Sequence, residues 1–70
     1  LWYNIYALPK NFTVKEGLNL SNTLITSLPE GLTVNGYLDL SNTPIKSIPL
    51  DINVEGKIYY PNGYTGNRPK

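Results

Sequence analysis

Seventy residues make one small domain at most, and a chain this short buries only about 60% of its unfolded surface. It contains no cysteine and no histidine, which excludes disulfides, thiolate metal sites, and both the commonest general base and the commonest metal ligand. Its six basic and five acidic side chains are scattered to a net charge of +1 with no phosphate-tracking stripe, and no apolar run approaches the ~18 residues of a membrane span.

The chain opens as LWYNIYALP, without the basic flank and long apolar core of a secretory signal. It contains no methionine, so the expectation is a processed chain or a fragment of a longer one. From Ile5 onward a pattern recurs with a period of 20. Leu8-Pro9 returns as Leu28-Pro29 and Ile48-Pro49, Phe12 as Leu32 and Ile52, and Val14 as Val34 and Val54. Leu18 returns as Leu38 and Ile58, and Leu20 as Leu40 and Tyr60. A fixed period of this length reads as a solenoid, in which each coil is too thin to bury its own apolar side and stacks on the next.

Within a unit, Leu18-Asn19-Leu20, Leu38-Asp39-Leu40 and Ile58-Tyr59-Tyr60 alternate inward and outward positions and predict short half-buried strands. Ser-Asn-Thr follows the first two strands as turn chemistry and weakens to Pro61-Asn62-Gly63 after the third. The Thr23 and Thr43 hydroxyls are placed to satisfy backbone groups where the chain turns inward. Leu-Pro then holds the return path extended. Glu30-Gly31 and Asn35-Gly36 mark further bends, and no segment carries a helical period. In unit one, Glu16 stands where later units place Gly36 and Gly56, with Gly17 opposite Tyr37 and Lys57. The predicted organisation is a repeat domain over 1–64, with units at about 5–24, 25–44 and 45–64, and a frayed polar tail over 65–70.

The run Leu38-Asp39-Leu40-Ser41-Asn42-Thr43-Pro44-Ile45 resembles the leucine-rich repeat signature, with threonine where asparagine is usual. Leu18 through Ile25 gives the same pattern. Its surroundings are similar to the short, irregular leucine-rich repeats of bacterial and bacteriophage proteins, and more distantly to the twenty-residue repeats of bacterial effectors. The resemblance implies a mainly β fold: a leucine-rich-repeat-like solenoid of about three 20-residue coils, with a short parallel sheet and little or no helix. The opening in mid-coil and the failing apolar positions from Tyr60 onward lead to the expectation of a C-terminal fragment of a longer bacterial or phage repeat protein, with a cytoplasmic or phage-particle location expected over a secreted one.

Such repeats bind partners on the strand face. Here that face carries the column Asn19, Asp39, Tyr59 beside the column Gly17, Tyr37, Lys57. Tyr37 and Tyr59 are the residue type that anchors interfaces, and Asp39 and Lys57 can fix orientation. The bland counterpart is a solvated sheet face with ordinary cross-strand packing. The expected function is a non-enzymatic protein–protein interaction module without cofactor or metal, with a protein partner and neither nucleic acid nor membrane. The alternative is a structural or carbohydrate-contacting element of a phage particle or surface protein. The carboxylates Glu16, Glu30, Asp39, Asp51 and Glu55 are spread over a thin scaffold with no deep cleft for paired acid–base work. Strand 18–20 is expected to be a sheet edge covered by Leu1, Trp2, Tyr3 and Tyr6, by further repeats, or by another chain. Two further columns, Asn22-Asn42-Asn62 and Thr13-Thr33-Asn53, are expected to stack as ladders.

Overall fold

A computed structural model describes residues 8–68. The expectations placed on Leu1, Trp2, Tyr3, Ile5 and Tyr6 lie outside the described residues. Six two-residue strands appear in chain order: β1 (Thr13–Val14), β2 (Leu18–Asn19), β3 (Thr33–Val34), β4 (Leu38–Asp39), β5 (Asn53–Val54) and β6 (Ile58–Tyr59). They form two three-stranded parallel sheets, β1-β3-β5 and β2-β4-β6. No helix occurs among the described residues. The result is a small, compact, mainly β domain.

The pairing register repeats the sequence period. Thr13 lies against Thr33 and Thr33 against Asn53, while Leu18 lies against Leu38 and Leu38 against Ile58. Every partner is therefore 20 residues away. Backbone bonds continue each ladder past the strand ends: Leu18 N–H donates to Tyr37 O and Leu38 N–H to Lys57 O, both at 2.9 Å, while Thr33 N–H donates to Phe12 O at 2.9 Å and Asn53 N–H to Leu32 O at 2.8 Å.

The sequence predicts the second of these sheets and misses the first. Phe12-Thr13-Val14 alternates like the other strands, but bends at 15–16 close it after two residues. In unit two the turn pairs Glu30-Gly31 and Asn35-Gly36 flank the strand and read as bends, which hides it.

The apolar columns meet inside. Leu8, Leu28 and Ile48 are buried, as are Val14, Val34 and Val54, and Leu18, Leu38 and Ile58. Leu20 and Leu40 are fully buried, while Tyr60 in the same column is half-buried and packs against the core. Phe12 is also half-buried, less enclosed than its counterparts Leu32 and Ile52. Each buried leucine or isoleucine contributes roughly 1.5–3 kcal/mol relative to an exposed one.

Turn chemistry joins strand to return path. Asn19 Oδ1 accepts from the Ser21 N–H at 2.9 Å, and Asp39 Oδ1 from the Ser41 N–H at 3.0 Å. In unit three both halves of this bond are replaced together: Tyr59 has no such acceptor and Pro61 has no N–H to donate. Thr23 Oγ1 donates to Leu20 O at 2.7 Å, and Thr43 Oγ1 to Leu40 O at 2.8 Å, as the sequence predicts. Asn22 and Asn42 adopt φ of 60° and 58°, a left-handed conformation asparagine tolerates. In unit three the left-handed residue moves one place on, to Gly63 at 75°. The asparagine ladder consequently has two rungs among the described residues, Asn42 Nδ2 donating to Asn22 Oδ1 at 3.0 Å. Asn62 belongs to the altered turn.

Two glycines are required by close approach. A Cβ on Gly36 would lie 2.7 Å from the Gly17 nitrogen, and one on Gly56 would lie 2.8 Å from the Gly36 carbonyl carbon. The backbones of successive units touch at these bends, and Gly56 N–H donates to Gly36 O at 3.0 Å.

The expected frayed end is corrected at Asn67 and Arg68. Asn67 bonds to the backbone of Ile48, Tyr64 is buried with its hydroxyl donating to Asn67 O, and Arg68 lies over the Tyr60 and Tyr64 rings. Asn67 bonds backbone groups of unit three and the three side chains pack over its end, so the segment is folded rather than free.

Candidate interaction face

The β2-β4-β6 register places Asn19, Asp39 and Tyr59 side by side. The Tyr37 and Tyr59 rings meet edge to face, with centroids 6.4 Å apart and planes at 77°. Such a pair is worth about 0.5–1.5 kcal/mol beyond its buried area. Lys57 Nζ sits 5.1 Å from the Tyr59 centroid, within cation–π range. Tyr37 in turn lies where a side chain on Gly17 would be, so the missing Cβ gives the ring its seat. Both rings remain open to solvent, Tyr37 at 41% and Tyr59 at 44% of their full exposure. Gly17, Tyr37, Lys57 and Tyr59 thus form one continuous aromatic and cationic patch.

Asn19 and Asp39 share the face but are turned toward the chain. Both are half-buried, and their Oδ1 atoms are engaged by Ser21 and Ser41. Their first task is to hold the strand exits in place. The ring–ring and ring–lysine contacts were not readable from the sequence, because they depend on which way Tyr37 and Lys57 lean.

A second cluster closes the far end. The Tyr60 and Tyr64 rings stack at 5.0 Å and 24°, and the Arg68 guanidinium sits 4.4 Å from the Tyr60 centroid. Burial raises the Tyr64 pKa above its ordinary value of 10.0; Tyr60 adds to the rise and Arg68 opposes it. Among the described residues, the buried Tyr60 hydroxyl has no hydrogen-bond partner. Beside this cluster, an open groove of about 460 Å³ runs between Thr43–Lys46 and Pro61–Thr65.

Among the described residues, no group of three or more acidic side chains is placed to hold a metal ion. Nor is any helix among them long and apolar enough to cross a membrane. Compared with protein-family models, curated proteins and solved structures, the chain has no match.

Proposed function

We propose that this domain is a non-enzymatic interaction module, a leucine-rich-repeat-like solenoid of the bacterial or phage kind, that docks a protein partner on its β2-β4-β6 face. The observation that carries the reading is the exposed Tyr37–Tyr59 pair, held edge to face and flanked by Lys57. Tyrosines prefixed in one geometry offer contact area at low entropic cost, which is what interface anchors need. Tyr37 and Tyr59 anchor, Lys57 supplies orientation, and Asp39 and Asn19 shape the edge of the patch. Repeat-like parallel pairing supports the solenoid reading, because every strand partner is one period away.

The test is the double substitution Tyr37→Ala with Tyr59→Ala. A partner isolated on the wild-type domain and titrated in pure form should lose affinity about 30-fold or more, in line with roughly 2 kcal/mol or more for a hot-spot pair. The thermal unfolding curve should stay cooperative, whereas Leu40→Ala should cost about 2–5 kcal/mol of stability. Unchanged affinity in the folded double variant assigns the face to a structural role. Loss of binding confined to a glycan array assigns it to carbohydrate contact.

A further inference from the structure

The chain contains the dipeptide Asn-Gly twice, at Asn35-Gly36 and Asn62-Gly63, and the fold treats the two differently. At the first, the peptide is pinned between units. Asn35 N–H donates to Val14 O at 2.9 Å, Gly36 O accepts from Gly56 N–H at 3.0 Å, and the Gly17 nitrogen lies 2.7 Å from where a Gly36 Cβ would be. At the second, both residues are exposed. Gly63 is left-handed with φ 75°, and among the described residues nothing lies within 4 Å of where its Cβ would be. The turn is closed across it by Tyr64 N–H donating to Pro61 O at 3.1 Å.

We propose that Asn62 is a site of spontaneous deamidation in the folded protein and that Asn35 is protected by the stacking of units. The Gly63 backbone nitrogen, having lost its proton to solvent base, attacks the Asn62 side-chain carbonyl carbon. A new C–N bond forms, the side-chain nitrogen leaves as ammonia, and a cyclic succinimide results. Water opens that ring at either carbonyl, giving aspartate or isoaspartate at position 62. The reaction consumes water, releases ammonia and needs no oxidant, reductant or enzyme. A residue after asparagine that lacks a Cβ and has open space around it removes the steric barrier to ring closure. At Asn35 the same closure requires the chain to open away from both neighbouring units first.

The product matters because of where it lies. Asn62 and Lys46 line opposite walls of the same groove, so conversion adds a carboxylate to a groove that already carries a lysine. The isoaspartate form also lengthens the backbone two residues before Tyr64, whose ring and hydroxyl hold the closing cluster.

The test uses the full chain, incubated folded at mildly alkaline pH and, in parallel, in concentrated urea. Lysine-specific cleavage separates the peptide carrying Asn62 from that carrying Asn35, and fragmentation distinguishes Asn62 from Asn67. In the folded protein Asn62 should convert at least about tenfold faster than Asn35, the ratio expected when one site must open locally and the other need not. In urea the two rates should converge. Equal rates in the folded protein, faster conversion of Asn35, or conversion at Asn67 in place of Asn62 would each overturn the proposal. Asn62→Gln should abolish the signal at that position without changing Asn35.

Discussion

The side-chain amide of Asn67 pairs with both backbone polar groups of Ile48: Nδ2 donates to Ile48 O, and Ile48 N–H donates to Oδ1 at 3.0 Å. The amide satisfies a donor and an acceptor that would cost about 1–3 kcal/mol each if buried and unpaired.

Asn67→Ala should therefore lower stability by about 1–3 kcal/mol, a fall of several degrees in the melting temperature of so small a domain. Asn67→Asp should be at least as harmful, since it cannot donate to Ile48 O. Chemical denaturation of both variants checks this, and a wild-type midpoint in Asn67→Ala would remove the amide from the list of stabilising contacts.

Tyr60 and Tyr64 should respond in opposite ways to loss of the hydroxyl. Tyr64→Phe removes the bond to Asn67 O and should cost about 0.5–1.5 kcal/mol. Tyr60→Phe removes a buried hydroxyl that has no partner among the described residues while keeping the ring stack and the Arg68 contact, and should be neutral or stabilising. Matching losses in the two variants would contradict the assignment.

Alkaline pH should act through Tyr64. Its pKa is raised in the fold, so the folded chain keeps the phenol proton after the unfolded chain begins to lose it near 10. The stabilisation this represents is complete below about pH 10 and is lost as pH rises through the raised value. Melting temperatures of wild type and Tyr64→Phe measured across that range should converge, since the variant has no proton to lose there. Parallel curves would show that other groups dominate the alkaline limb.

Removing a threonine hydroxyl should cost more at Thr23 than at Thr43. Both donate to a carbonyl three residues back, but Thr23 is buried and Thr43 only half so. Thr→Val keeps the shape and orphans the carbonyl, for about 1 kcal/mol or more at Thr23 and less at Thr43. Urea midpoints of the two variants give the order directly.

Much of this architecture was legible because it repeats. Leu18, Leu38 and Ile58 announce a column by spacing alone, and the structure pairs them in that register. The Thr23 and Thr43 bonds were legible because threonine after a strand has few other uses. Other parts were harder to read. The β1-β3-β5 strands recur and alternate, but in unit two they lie between Glu30-Gly31 and Asn35-Gly36, which read as bends. The closing cluster uses Asn67 and Arg68, which have no counterparts in the other units and look like ordinary polar tail residues. At the candidate face, the columns followed from the period, but the seat of Tyr37 on Gly17 depended on an absence of side chain that spacing cannot weigh.

The bends at Gly36 and Gly56 have a further consequence. Each glycine faces the unit before it, and the Cβ it lacks would strike that unit's backbone. Glu16 occupies the same place in unit one. The stack therefore has a direction: at this bend units two and three are cut to receive the backbone of the unit before them, and unit one carries a side chain there. A single position in the repeat thus records which neighbour each unit turns its bare backbone toward.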